Sequence, residues 1–314
     1  MTSRVLILDF EEPDLLEAAD PESIARSSAA WAADVKKYGP WTRVHIPQFG
    51  KTPDTAGHYA WQSNQAGDGP TVFVCGHCTS TMDAAWHFIE NQQFNLWDSL
   101  IAVDQTAGRG QQKRHWISPA GNIHASWRWP LPEFSGTSET DWTALLPLMA
   151  GFVVARIFKE FNVPVKIKWP NDLLINNQKF GGILVEKRGG HILAGIGLNV
   201  SFAPEESRLR EEFAVTATHL ADQGFEMTPL CLWTTLVEKG KSLFERLIQT
   251  LPPMEFVRLI DRQMAWVGKN VLIRRTDKDI FEAVILGLAQ DGGLLIKKET
   301  TEEVLYSGSI IPLR

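Results

Sequence analysis

Two groups of charged residues, each flanked by glycines, carry the chemical interest of this 314-residue chain. The first is Gln105-Thr106-Ala107-Gly108-Arg109-Gly110-Gln111, continued by Lys113, Arg114, His115 and Trp116, with no acid between Arg109 and Trp116. A basic loop pinned by glycines suits a polyphosphate, because backbone N–H groups and a guanidinium fork can both reach the anion. Charge-assisted hydrogen bonds contribute about 1.5–3 kcal/mol each, so losing one costs about 10–100-fold in binding or rate. Gly-Arg-Gly by itself is a weak pattern, and a solvated basic hairpin remains the bland alternative.

The second group is Lys168-Trp169-Pro170-Asn171-Asp172, followed by Lys179-Phe180-Gly181-Gly182. Pro170 biases Trp169 toward extended geometry and ends a strand sharply. Asn171 and Asp172 then stand at a strand end, where they can meet a ligand or a Mg2+ ion, or merely cap a turn. Two glycines remove side chains where a ligand could approach the backbone. An ammonium at that edge can neutralise a carboxylate and a phosphate together, although an exposed hairpin lysine would read the same way. A third pattern, Cys75-Gly76-His77-Cys78, has the spacing of thiol oxidoreductases. It lacks the surrounding thioredoxin βαβ context and a second cysteine pair for zinc, so a structural pair is expected and no metal site.

These groups need elements to hold them. Val5–Phe10 reads as a strand. Asp20-Pro21-Glu22 gives an N-cap, a first-turn proline and a first-turn acid, so one helix is expected to about Lys37, stopped by Gly39-Pro40. Gly50 to Pro70 reads as loop or linker. From Thr71 the pattern alternates: strand Thr71–Val74, helix Met82–Asn91, strand Leu100–Val103 into the basic loop, and strand Asn122–Trp129 out of it. A long apolar helix is expected over Asp141–Phe161 and a half-exposed strand over Val163–Trp169. Strands Ile183–Glu186 and His191–Val200 are joined at Arg188-Gly-Gly190, and a helix opens at Thr228-Pro229 and ends near Leu251. Beyond 268 come four short strands, Val271–Arg275, Ile280–Leu288, Leu294–Lys298 and Glu303–Tyr306, with a hairpin turn at Asp291-Gly-Gly293.

Composition excludes some classes. The chain is 44% hydrophobic and 22% charged, with net charge −6, so whole-molecule electrostatics give no reason to expect nucleic acid. Residues 1–70 hold ten acids and six bases, and Asp261–Arg314 eight of each, so neither end offers a basic face. No apolar run approaches a membrane span of roughly 20 residues, and the N-terminal apolar run is too short for a signal peptide. Three cysteines fit a reducing compartment, and a cytoplasmic protein is expected.

Five blocks, in order and spacing, resemble biotin protein ligases: Gln105–Gly110, Trp116-x-Ser-Pro-x-Gly121-Asn122, Lys168–Asp172, Lys179–Glu186 and Gly195-Ile-Gly-Leu-Asn199. Ser80-Thr81-Met82 resembles the family's Ser-Thr-Asn segment, and the match covers about residues 71–314. The resemblance implies an α/β (α+β) architecture: a mixed-sheet, class II synthetase-like catalytic domain over 71–265 and a C-terminal SH3-like β-barrel over 266–314. Residues 1–70 would be an N-terminal extension with no evident helix-turn-helix, making DNA an unlikely partner. It implies ATP, Mg2+ and biotin, with biotin activated to biotinyl-5′-AMP and passed to a lysine on a biotin carboxyl carrier domain. A homodimer is also compatible with the family.

Carried over by position, the biotin pocket would take Ser80, Thr81, Met82, Gln105, Gly108, Arg109, Gly110, Gln111, Lys179, Gly182, Leu184 and Gly195. The nucleotide would meet Arg109, Arg114, Trp116, Lys168, Asn171, Asp172, Lys179 and Asn199. Lys179, Arg109 and Asp172 would carry the chemistry. Two departures stand out: Gln111 replaces a second loop arginine, which should loosen retention of the intermediate, and Met82 replaces an asparagine. The rival readings are a lipoate or octanoate ligase of the same superfamily, a non-catalytic biotin sensor and a thiol oxidoreductase.

Overall fold

The computed structural model describes residues 2–49, 57–65, 67–111, 114–131, 145–204 and 215–313. Its elements in chain order are β1 (Arg4–Asp9), α1 (Pro21–Ser27), α2 (Ala29–Tyr38), β2 (Trp41–His45), β3 (Tyr59–Ser63), β4 (Thr71–Cys78), α3 (Thr81–Glu90), β5 (Ser99–Gln105) and β6 (Ile123–Trp129). They continue with α4 (Leu146–Glu160), β7 (Lys166–Lys168), β8 (Asp172–Ile175), β9 (Gln178–Arg188), β10 (His191–Leu198), α5 (Pro229–Thr250) and α6 (Pro253–Asp261). The last five strands are β11 (Asn270–Thr276), β12 (Asp279–Leu288), β13 (Leu294–Lys298), β14 (Thr301–Leu305) and β15 (Ser309–Pro312).

The chain divides into two compact units. One comprises Met1–Leu131, Leu184–Ala203 and His219–Lys241, and the other Pro132–Ile183, Pro204–Thr218 and Ser242–Arg314. In the first, the strands of a mixed sheet run β2-β3-β1-β4-β5-β6-β10-β9. Strands β1, β4 and β5 are parallel, while β3 against β1, β6 against β5 and β10 against β6 are antiparallel. In the second, β9, β8 and β7 follow one another antiparallel, the division between units falling within β9.

Tertiary pairing overrode local reading near the N-terminus. Tyr59–Ser63 lies in a stretch expected as loop, yet it forms β3, paired with both β1 and β2. Strand β1 therefore sits between β3 and β4, its four central residues buried, and residues 1–70 contribute to the same sheet as the strands that follow. The helix expected from Pro21 to Lys37 is two helices. Asp20 caps the first, its carboxylate accepting from the N–H groups of Glu22 and Ser23, and Ser23 completes a reciprocal capping box. At Ser28 the backbone turns extended and the serine hydroxyl accepts from the Trp31 N–H at 3.2 Å, so a side chain that competes for backbone hydrogen bonds opens a second helix.

Helix α3 packs on β5, β6 and β10. Its Ala85, Phe88 and Ile89 join Leu6, Phe73, Leu100 and Leu193 in one core, where a large apolar side chain contributes about 1.5–3 kcal/mol. Tryptophans concentrate behind β6: Trp127 meets Trp129, Trp97 and Trp233 at ring-centroid distances of 5.0, 5.7 and 6.0 Å.

In the second unit the long helix is seen over Leu146–Glu160, the start of its expected span lying outside the described residues. The alternation Val163, Val165, Ile167, Trp169 is real and all four are buried, but only Lys166–Lys168 pairs as a strand. Helix α6, which begins at a proline, was not expected from the sequence. The C-terminal β module is present as a five-stranded antiparallel sheet of order β14-β13-β12-β11-β15. Strands β14 and β15 form its two edges, so the described module is an open sheet where a barrel was expected.

Candidate active site

In the first unit, candidate residues gather where β4 and β5 end. The chain leaves β4, turns extended at Ser80 and enters α3 at Thr81. Ser80 makes no side-chain cap; the helix start is held from β5 instead. The Thr81 N–H and hydroxyl both donate to Gln105 Oε1, at 2.8 and 3.1 Å, and Gln105 Nε2 donates to Ser118 Oγ at 2.9 Å. Ser126 on β6 donates to Thr81 Oγ1 at 2.9 Å. Ser80, Thr81, Ser118 and Ser126 are all buried. A buried, mutually satisfied polar network costs a good deal to disturb, so it fixes the helix start.

The basic loop closes on itself. The Trp116 N–H donates to the Gly108 carbonyl at 2.8 Å and the Gly110 N–H to the Arg114 carbonyl at 2.7 Å, while Arg109 and His115 form a bridge. A Cβ on Gly108 would stand 2.7 Å from both Ser118 Oγ and the Trp116 carbonyl, so the two arms can approach only over a glycine. Gln111 is half-buried and Arg114 exposed; Lys113 lies outside the described residues. Arg109 lies against carboxylates that the sequence reading missed: Asp83 at 2.6 Å and Glu186 at 3.7 Å. Glu186 also accepts from Trp86 Nε1 at 2.8 Å and Arg188 at 2.7 Å. The Arg109–Asp83 pair is about one-third exposed, and such pairs contribute little beyond about 1 kcal/mol, so Arg109 can exchange Asp83 for a stronger anion.

Gly195 and Gly197 on β10 make a floor with no side chains. A Cβ on Gly195 would be 2.8 Å from Met82 Sδ and 3.5 Å from the Leu184 carbonyl; one on Gly197 would be 2.5–2.7 Å from the Trp116 indole. Met82 and Trp116 thus lie close over the sheet, and Trp116 caps Gly197 as well as closing the loop. Asn199 is buried just beyond, in a turn anchored by Asn122, whose Oδ1 accepts from the N–H groups of Val200, Ser201 and Phe202.

His124, which sequence reasoning passed over, sits on β6 opposite Ala102 and Gly197 and is 1% exposed. Its Nε2 lies 3.0 Å from the Pro119 carbonyl, which can only accept, so Nε2 carries the proton. Its Nδ1 is buried with no hydrogen-bond partner among the described residues. Burial lowers its pKa from 6.5 to about 4, outweighing the Pro119 bond and the Asp104 charge. Period-two spacing with Ser126 was the available signal.

The cysteine pair is structural in character. Cys75 and Cys78 are free buried thiols, and a hydrogen bond that the protonated Cys78 makes to Cys75, together with burial, pushes the Cys78 thiol well above its ordinary range. Such a thiol is a poor nucleophile.

In the second unit, Lys168 and Asp172 are cross-strand partners on β7 and β8, and Asp172 also faces Gly182 on β9. A bulge between Leu173 and Leu174 displaces the register and lets Lys179 reach the same carboxylate. Asp172 Oδ1 lies 2.6 Å from Lys179 Nζ and Oδ2 lies 2.8 Å from Lys168 Nζ. Burial would raise the Asp172 pKa, but the two ammonium groups overcome it and hold the carboxylate far below its usual range. The backbone of Lys179 is clamped too: its N–H donates to the Thr216 carbonyl at 2.8 Å and its carbonyl accepts from Thr218 at 2.9 Å. No local pattern signalled that clamp.

Asn171 exchanges bonds with Ile183, its Nδ2 donating to the Ile183 carbonyl at 2.7 Å. Trp169 is buried and donates to the Gly292 carbonyl at 3.0 Å, so it ties the turn to the C-terminal sheet. Lys168, Lys179 and Asp172 together leave one net positive charge, suited to an anion. Among the described residues no group of three or more His, Cys, Asp or Glu could hold a metal ion. Nor is any described helix long and apolar enough to cross a membrane.

The family model for the biotin/lipoate A/B protein ligase family matches residues 75–202. Over those residues the chain is similar to that family. Every candidate residue from Ser80 to Asn199 falls within the matched segment. The chain is similar to the bifunctional ligase/repressor BirA of Escherichia coli, 28% identical over 221 residues, covering 68% of this chain and 65% of the relative. It thus spans about two thirds of the length of that relative. It is 24% identical over 230 residues to the biotin–[acetyl-CoA-carboxylase] ligase of Paracoccus denitrificans, covering 67% of this chain and 88% of the relative. Among solved structures, the biotin protein ligase of Aquifex aeolicus in complex with biotin and ATP shares the fold, with TM-score 0.60, 24% identity and coverage of 77% of this chain and 98% of that one. The Leishmania major biotin protein ligase in complex with biotinyl-5-AMP gives TM-score 0.50 at 26% identity, over 76% of this chain and 99% of that one.

Proposed function

We propose that this chain is a biotin protein ligase. The biotin carboxylate attacks the α-phosphorus of ATP and pyrophosphate leaves, forming biotinyl-5′-AMP. The amine of a lysine on a biotin carboxyl carrier domain then attacks the activated carbonyl carbon, and AMP leaves. Both steps need cationic groups to screen anions that must approach each other.

The observation that carries this reading is the ammonium of Lys179, fixed at its backbone on both sides and at its head by Asp172. A fixed cation beside Gly181-Gly182 suits stabilisation of charge on a carboxylate and an α-phosphate. In the first unit, Thr81, Gln105, Ser118 and Ser126 offer a preorganised polar set for the biotin head, and Arg109 supplies a cation on the glycine-flanked loop. Both Asp172 oxygens are already engaged by lysines, so Mg2+ is best taken as arriving with the nucleotide. The family description includes lipoate ligases, while the relatives named above are biotin ligases, which favours biotin.

The test is mass spectrometry of a purified biotin carrier domain after incubation with this protein, biotin and MgATP, with lipoate in a parallel reaction. One biotinyl group on a lysine is expected, without lipoyl transfer, and slowed about 100-fold or more in Lys179→Ala. Lipoyl transfer, or an unmodified carrier in the presence of measurable biotin binding, would refute the assignment.

A further inference from the structure

Lys168 and Asp172 hold a closed arrangement that points away from direct contact with nucleotide or metal. The Asp172 side chain is 13% exposed and its two oxygens are each taken by one ammonium, so a metal could bind it only by displacing a lysine. Lys168 is 12% exposed and spends its head on Asp172 Oδ2, whereas Lys179 is 31% exposed and is the member that reaches outward. The chain builds this arrangement rigidly, because Lys168 and Asp172 face each other across a β-ladder and the Lys179 backbone is bonded to Thr216 and Thr218.

We infer that Lys168 and Asp172 are positioning residues: Lys168 holds the Asp172 carboxylate, and that carboxylate aims the Lys179 ammonium. The inference deepens the ligase reading and rests on it. Among the described residues, Lys168 from β7 and Lys179 from β9 are the charged groups that meet Asp172. Removing one leaves a buried carboxylate with half its compensation, and desolvation then draws its protonation toward neutral pH.

Two measurements on the full chain decide the matter. The first follows the 13C carboxylate resonance of Asp172 with pH in the absence of substrate, assigned by its loss in Asp172→Asn. The wild type and Lys168→Arg should keep the carboxylate ionised through the acid range, while Lys168→Gln should titrate at distinctly higher pH. The second is biotin-dependent ATP–pyrophosphate exchange. Lys168→Gln should lower kcat about 10–100-fold with KM for MgATP unchanged, and raise the acid limb of the pH profile, with Lys168→Arg restoring most of the rate. If Lys168→Gln does not fold, Lys168→Met serves the same purpose.

An identical carboxylate titration in wild type and Lys168→Gln would overturn the inference. So would a raised KM for MgATP with unchanged kcat, which would make Lys168 a direct nucleotide contact. A wild type that shows no exchange refutes the ligase reading instead, and the substrate-free titration still decides whether the ion arrangement exists.

Discussion

Replacing His124 by glutamine should remove a specific part of this protein's sensitivity to acid. In the folded chain the ring is buried and neutral, with a pKa lowered from 6.5 to about 4 by desolvation. Above pH 6.5 the ring is neutral in both folded and unfolded chains and contributes nothing to pH dependence. Between 6.5 and about 4 the unfolded chain takes up a proton that the folded one refuses, so stability falls as pH falls, and the loss levels off below 4. At about 1.4 kcal/mol per pH unit, the interval from 6.5 to about 4 is worth about 3 kcal/mol. Urea unfolding at several pH values between 8 and 4 measures this directly. Carboxylates titrate in both proteins, so the wild-type-minus-variant difference isolates His124. That difference should be flat above 7 and then fall by about 3 kcal/mol toward pH 4. A flat difference throughout, or an imidazole that NMR shows protonated at pH 6, would refute the reasoning.

Two further expectations follow from the floor and the loop. Gly197→Ala places a Cβ 2.5–2.7 Å from the Trp116 indole, a rigid plane that must shift bodily, so about 1–3 kcal/mol of stability should be lost. Gly195→Ala meets the flexible end of Met82 at 2.8 Å, which can rotate away, and thermal melting should show a loss below about 1 kcal/mol; equal losses for the two would contradict this account. Gln111→Arg restores a charged fork to the loop, and single-turnover release should show biotinyl-AMP leaving about tenfold or more slowly than from wild type. Equal off-rates would show that position 111 plays no part in retention.

Local features were legible where the cause is local. The Asp20 cap, the apolar face of α3 and the β character beyond 268 follow from short-range patterns, and the structure carries them. Lys168 and Asp172 were also within reach, because a tight turn between β7 and β8 sets them opposite each other. The break at Ser28 was misread, because the proline-led cap dominated and a serine competing for backbone bonds was overlooked.

The sequence by itself determined which chemistry the chain can offer: guanidinium, ammonium and amide groups beside glycines, in an order that resembles one family. Only the tertiary structure decided which of those groups are free to act. Gln105 reaches Thr81 across 24 residues, Ser126 reaches Thr81 across 45, and Arg109 is met by Asp83 across 26. Tyr59–Ser63 became a strand only because β1 and β2 were there to accept its hydrogen bonds. The physical reason is the same in each case. A cap, a turn or a period is set by neighbours along the chain, whereas burial, pairing and ionisation depend on groups that only the completed sheet brings within a few ångströms.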